Sequence, residues 1–268
     1  MSSYLVSYAT GRYVQSQRGL IESAREHGVD HARPLGRRSL KQTPFYRLHR
    51  PILDQPRGAG YWLWKPFIVN QTLKEMRDGD ILIYSDAGIE IVAGLTPLLD
   101  LAARQEIVLF DGRHYDDAGA PGPNRCAKWT KRDCFVALEC DEPRYHDAPV
   151  LDASFTVFAK SARSVRFAQE WLLYCCQPHA LTDQPNRCGL PNLPSFIDHR
   201  HDQSILSLLA ARDRLELFRH PSQLSNHFKP KSFREPGEFH RLPYGSKGIM
   251  RNSAYPTLLN HHRGRQPG

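Results

Sequence analysis

The sequence predicts an α/β protein: a mainly parallel sheet with helices on both faces. Two observations carry that expectation. Short apolar runs at Tyr4–Ala9, Ile81–Tyr84 and Glu106–Phe110 read as buried strands, and Ala153–Ala159 alternates like a strand. Stretches of helical periodicity alternate with them, and strands alternating with helices favour a parallel sheet. In such sheets a ligand sits outside the carboxyl ends of the strands.

The elements follow in order. After the strand at Tyr4–Ala9, Thr10-Gly11 ends the run, and a helix over 12–27 closes at Gly28, a C-cap residue. A second strand fits 29–35. Residues 36–60 are basic and rich in loop signals, and are expected to hold one short helix. Pro66 suits the first turn of the next helix, with Val69, Leu73 and Met76 at helical spacing. The strand at Ile81–Tyr84 stops at Ser85-Asp86-Ala87-Gly88. A helix over 95–104 and the strand Glu106–Phe110 follow. Residues 111–130 read as an irregular polar loop and 131–138 as a short helix. Ser161 is placed to cap a helix carrying Ala168, Trp171, Leu172 and Cys175 on one face. Residues 177–199, with four prolines, read as loop. A helix over Asp202–Arg212 and a strand over Leu215–Phe218 complete the core. Residues beyond 221 read as a loop-rich tail closing over the site, within one domain spanning 1–268.

The 268 residues, 40% of them hydrophobic, suffice for a sizeable core and argue against intrinsic disorder. The net charge of +8 fits nucleic acid, an anionic membrane face or a nucleotide diphosphate. No block of five like charges occurs, which disfavours a nucleic-acid arm, and no nucleic-acid partner is expected. The six cysteines form no C-x-x-C pair and read as reduced thiols of a cytoplasmic protein. The opening residues read as no signal peptide, and no apolar run reaches membrane-span length.

Chemistry-bearing residues cluster in two places. Tyr84-Ser85-Asp86-Ala87-Gly88 puts a carboxylate at the end of a buried strand, with small residues beyond it. Hard divalent cations take oxygen ligands and complete their shells with water and phosphate. A strand-end Asp also commonly makes a turn. His199-Arg200-His201-Asp202-Gln203 places Asp202 just before an apolar helix, where it could cap the helix or act as a general base. Lys65, Arg132, Arg200, Lys229 and Arg263 are candidates to meet phosphate. Trp62 and Trp64 could stack on a ring.

Gly58-Ala59-Gly60-Tyr61-Trp62-Leu63-Trp64-Lys65-Pro66, followed by Gly79-Asp80-Ile81-Leu82-Ile83-Tyr84-Ser85-Asp86-Ala87-Gly88 and by His199-Arg200-His201-Asp202-Gln203-Ser204, resembles a group of bacterial and viral glycosyltransferases of the GT-A kind. The layout is also similar to that of glycogenin-like and mannosyltransferase-like enzymes. The resemblance spans roughly residues 4–263. It implies a GT-A fold and transfer of a sugar from a nucleoside-diphosphate donor, UDP by default, to a carbohydrate or glycoconjugate acceptor. It implies a Mn2+ or Mg2+ cofactor held by Asp86 and closed by a late histidine, His261 or His262, with His227 a further candidate. Tyr8, Ala9 and Thr10 would cradle the base. Trp64, Lys65, Tyr84, Ser85, Ala87, Gly88, Arg200 and Arg263 would line the donor site. Asp202 and Gln203 would lie at the sugar, with retention favoured; Asp202 acting as a base would instead give inversion. The sequence departs from the usual Asp-x-Asp at this strand end, because Tyr84 stands first. The basic surface is expected to meet an anionic membrane face. Three other readings stay open: a GT-A fold that binds without turnover, a nucleotidyltransferase, which the glycine-poor Ala9-Thr10-Gly11-Arg12 disfavours, and a basic nucleic-acid-binding protein.

Overall fold

The computed structural model describes residues 1–112, 124–226 and 252–262. Strand β1 (Ser3–Ala9), helix α1 (Tyr13–Glu26) and strand β2 (His31–Gly36) form the opening unit. Three short helices follow: α2 (Arg37–Lys41), α3 (Pro44–Leu48) and α4 (Arg50–Leu53). One short helix was expected in this stretch. The extra ones are set by local chemistry: the Thr43 hydroxyl accepts the Tyr46 N–H at 3.1 Å, and Pro44 and Pro51 stand in first turns, where a missing N–H costs nothing.

A turn, α5 (Gly58–Tyr61), leads into helix α6 (Trp64–Glu75). Strands β3 (Ile81–Ser85) and β4 (Ile89–Ile91), helix α7 (Thr96–Gln105) and strand β5 (Ile107–Asp111) come next. Helices α8 (Cys126–Trp129), α9 (Arg132–Ala137) and α10 (Pro143–His146) precede β6 (Leu151–Ala159). Part of the stretch read as irregular loop is therefore helical. Then come α11 (Ala162–Cys175), α12 (Pro178–Leu181), α13 (Asp202–Arg212), β7 (Leu217–Arg219), α14 (Gln223–Asn226) and β8 (Leu259–His261).

The main sheet has the order β2-β1-β3-β6-β5-β7. Pairings β1 with β2, β1 with β3 and β5 with β7 are parallel, whereas β6 runs against both β3 and β5. The sheet is thus mostly parallel with one reversed strand. That reversal has a consequence for chemistry: the start of β6 lies beside the carboxyl ends of β3 and β5. The chain also leaves β1 first for β2 on one side and later for β3 on the other, a topological switch point.

Each face of the sheet buries its own core. One gathers Leu82, Tyr84, Leu109 and Phe158 with residues of α6, α11 and α13; the other gathers Ile81, Ile83, Val108 and Phe155 with α1 and α7. Period-2 alternation along β3 and β5 assigns the faces. Helix α13 is buried at Asp202, Ser204, Ile205, Leu206, Ser207, Leu208, Leu209 and Ala210, so nearly its whole circumference is enclosed rather than one stripe.

The segment beyond 221, read as loop-like, contributes more than a loop. β8 pairs antiparallel with β4, and Tyr255, Leu258 and Leu259 join the second core. Three-residue strands are too short to show a period, which is why neither was visible in the sequence. No helix among the described residues is long and apolar enough to cross a membrane. All six cysteines are free thiols, and burial pushes the Cys126, Cys134 and Cys175 thiols up from their ordinary pKa.

Ser161 caps α11 as expected: its hydroxyl accepts the Ser164 N–H at 3.1 Å. Replacing Ser161 by Ala is expected to lower stability by about 1 kcal/mol, read as a reduced urea midpoint with an unchanged m-value.

Candidate functional site

Parity along β3 sets the site. Tyr84 and Asp86 are two residues apart and share the face packed by α6 and α13, while Ser85 points the other way. Lys65, in the first turn of α6, and Asp202, the first residue of α13, arrive on that same face. The Lys65 ammonium lies 3.2 Å from Asp202 Oδ2 and 3.4 Å from Asp86 Oδ1, and donates to the Ala153 carbonyl at 3.0 Å. One of its three donors is taken by that carbonyl, and the two carboxylates lie within ion-pair distance. The Tyr84 hydroxyl donates to Asp86 Oδ1.

Lys65 and Asp202 are almost fully buried, whereas the Asp86 side chain is 34% exposed and forms the rim. Burial works against the Lys65 charge, but Asp202 and Asp86 outweigh it and hold its pKa above the usual ammonium value. Burial, with the Asp86 charge added, raises Asp202 to about 6 against the pull of Lys65. Burial raises the Tyr84 phenol further still. Two carboxylates share one ammonium, so the trio carries a net charge near −1 when both are ionised.

The segments that deliver Lys65 and Asp202 are both strained. Gly58, Ala59, Gly60, Tyr61 and Trp62 all have positive φ, a left-handed turn rare for L-residues and costing about 1–2 kcal/mol at each non-glycine position. Gly60 is required there: at φ 106° a Cβ would come within 2.6 Å of Leu53 Cα. His201, just before α13, also has positive φ, at 52°. The Trp62 ring stacks on the His201 ring at 5.4 Å, and Arg57 bonds Asp183 and Asp198 beside them. Such strain persists only where surrounding packing enforces it, and it clusters at functional sites.

A second group lies at the same end of the sheet. Asp152, second residue of β6, His220, just after β7, and His261 of β8 are buried, with one ligand atom from each within 4.8 Å of the others. His220 Nε2 is 3.6 Å from Asp152 Oδ2. Ser154 ties the two groups together. Its N–H donates to Asp152 Oδ1 at 2.7 Å, its hydroxyl meets His261 Nε2 at 2.9 Å, and its carbonyl accepts the Asp86 N–H at 2.7 Å. Among the described residues, this is the one set of three or more His, Cys, Asp or Glu side chains that converges in this way.

The remaining expected residues are placed as follows. Gln203 donates to the Leu151 carbonyl at 2.5 Å, so it braces the start of β6. Tyr8 is buried and stacked on Trp64 at 4.3 Å; burial raises its phenol to about 12. Trp64 in turn donates to the Gly58 carbonyl at 3.0 Å. Ala9, Ser85 and Ala87 are buried, while Thr10 and Gly88 are half-buried at the switch-point rim. Arg200 is exposed and stacks over Trp129 at 4.3 Å rather than joining the trio. His262 is held through its main-chain N–H to the Gly88 carbonyl at 2.9 Å. His227, Lys229 and Arg263 lie outside the described residues.

Asp86, expected to hold Mn2+ or Mg2+, has its Oδ1 3.4 Å from the Lys65 ammonium. His261, a late histidine the resemblance offered to the metal, lies with Asp152 and His220, two residues the sequence did not single out. Asp152 stood one residue before the strand that the alternation marked, and His220 looked like one of thirteen histidines near a strand end.

No protein-family model matches the chain, and no curated protein matches it.

Replacing Lys65 by Met removes the charge that restrains Asp202. The Asp202 pKa is expected to rise above about 6, followed by carboxyl 13C chemical shifts. Stability should fall by about 3–5 kcal/mol, since an unpaired buried carboxylate remains. Because the Asp202 pKa is raised on folding, the native state binds its proton more tightly than the unfolded chain does. This group's contribution therefore weakens stability as pH rises from about 4 to about 6 and is constant above. Asp202→Asn should flatten that part of the stability–pH curve. Gly60→Ala is expected to cost about 2–4 kcal/mol through left-handed strain and overpacking against Leu53, read from the urea midpoint.

Proposed function

We propose that this chain is a metal-assisted glycosyltransferase of the GT-A kind, taking a sugar from a nucleoside-diphosphate donor, UDP by default, to a carbohydrate or glycoconjugate acceptor. The observation that carries the reading is the convergence of Asp86, Asp202 and Lys65, each from a separate element, at the carboxyl end of the sheet beside its switch point. Ligands of open α/β sheets bind at that place.

In this reading Thr10 and Gly88 form the donor rim and Asp86 faces the bound donor. Lys65 does not touch phosphate; it fixes both carboxylates. Asp202 lies beneath Asp86, and with a pKa near 6 it is ionised at neutral pH and able to accept a proton from an acceptor hydroxyl, the inverting alternative. With Asp202 orienting the sugar instead, retention is preserved. A diphosphate approaching a trio of net charge near −1 needs added positive charge. A divalent cation would supply it by neutralising charge on the departing nucleoside diphosphate.

A second reading, a fold of this kind that binds without turnover, is favoured by one observation. Both acidic groups are already engaged by Lys65 and Tyr84.

Thermal-shift measurements against UDP, GDP, CMP and ADP, with and without Mn2+, test the proposal. A rise in melting temperature with one nucleotide, larger with Mn2+, is expected, because a ligand that binds only the native state stabilises it. Asp86→Asn should weaken that nucleotide about tenfold or more, the loss of one charge-assisted contact, with the circular dichroism unchanged. A flat response to all four nucleotides, or equal affinity in the variant, refutes the donor site. Turnover of the bound UDP-sugar separates the two readings.

A further inference from the structure

We propose that Asp152, His220 and His261 form a buried binding site for one divalent transition-metal ion of the Zn2+, Co2+ or Mn2+ class, distinct from the Asp86–Lys65–Asp202 trio. The site rests on donor geometry and stands whether or not the chain transfers a sugar.

Three features support it. The first is convergence. Side chains from β6, from the residue after β7 and from β8 bring one ligand atom each to within 4.8 Å of the others. In a tetrahedral zinc site with bonds of about 2.0–2.1 Å, ligand atoms stand about 3.3 Å apart. The 3.6 Å between His220 Nε2 and Asp152 Oδ2 is already close to that, so closing the set needs only small side-chain movements.

The second is the orientation of the rings. A ligating histidine typically has its other nitrogen fixed by a hydrogen bond, which sets the tautomer. His220 Nδ1 lies 2.8 Å from the Ser222 hydroxyl, and His261 Nε2 lies 2.9 Å from the Ser154 hydroxyl. The Ser222 N–H also donates to His220 Nδ1 at 3.2 Å, so an ion at Nε2 requires the ring proton to move to Nδ1 and the Ser222 N–H to give way. Asp152 Oδ1 accepts the Ser154 N–H. A serine therefore orients each of the three ligands. Gln223 fixes the backbone of His261 as well: its amide accepts the His261 N–H at 2.9 Å and donates to the His261 carbonyl at 3.0 Å.

The third is ligand chemistry. Two imidazoles and one carboxylate suit Zn2+, Co2+ and Mn2+, whereas Mg2+ and Ca2+ prefer all-oxygen shells. Three protein ligands leave at least one coordination position open for water or an anion. Asp152 immediately precedes Ala153, whose carbonyl holds Lys65. The ion would also fasten β8, adding to its pairing with β4 and its bonds to Gln223.

The test uses the full chain, stripped with chelator, and the metal alone, without nucleotide. Titration calorimetry should give one equivalent of Zn2+ and of Co2+, at an affinity at least a hundredfold above that for Mg2+. Bound Co2+ should show a visible absorption band from nitrogen coordination, which needs no variant. His220→Gln, His261→Gln and Asp152→Asn should each weaken Zn2+ at least tenfold, with folding checked by circular dichroism. His261→Gln and Asp152→Asn keep the test decisive if the fully buried His220 does not tolerate change. Asp86→Asn should leave Zn2+ affinity within about twofold. The proposal is overturned if the wild-type chain takes up no stoichiometric metal or gives no Co2+ band. It is equally overturned if folded ligand variants bind as the wild type does, or if Asp86→Asn abolishes binding. Since no nucleotide is present, failure of the donor-binding proposal would leave these outcomes unchanged.

Discussion

A single buried ammonium organises the open end of this molecule. Lys65 is withdrawn from water and would be costly there alone; it is tolerated because Asp202 and Asp86 pair with its charge and the Ala153 carbonyl accepts one of its donors. Its partners come from α13, the end of β3 and β6, so this one charge joins three elements with no other reason to align. The strain in the 58–62 turn and at His201 follows from the same requirement. Left-handed backbone on both flanks delivers Lys65 and Asp202 to one point, and the Trp62–His201 stack holds the two flanks together.

The reversed strand β6 is the second organising feature. Had β6 run parallel to its neighbours, Asp152, Ala153 and Ser154 would lie at the opposite end of the sheet. Reversal sets them beside Asp86, where the Ser154 carbonyl, amide and hydroxyl contact Asp86, Asp152 and His261 in turn. The trio and the Asp–His–His set are thus two groups sharing one strand. Their charges are complementary in use: the trio is net negative, and a bound divalent ion would offset it.

The long helices and long strands were legible because burial imposes a period. β1, β3, β5 and β6 lay where apolar runs lay, and Ser161 capped α11 where its residue type suggested. Asp86 and Asp202 were legible as candidates because a carboxylate ending an apolar strand or opening an apolar helix stands out. Their meeting through Lys65 was not, since those residues are far apart along the chain. β4 and β8 escaped notice because three residues carry no period. Lys65 was read as a phosphate contact, as an exposed lysine would be; only its depth shows that it is spent on carboxylates.

The sequence by itself determined the α/β class, the order of the long elements and the two motifs that end at Asp86 and begin at Asp202. Those are local properties, encoded by periodicity, caps and strand ends. The tertiary structure alone decided the direction of β6, the pairing of β8 with β4 and the union of Asp152, His220 and His261. Strand direction and long-range pairing depend on how whole faces pack, and a stretch of chain holds no record of which distant stretch will cover it.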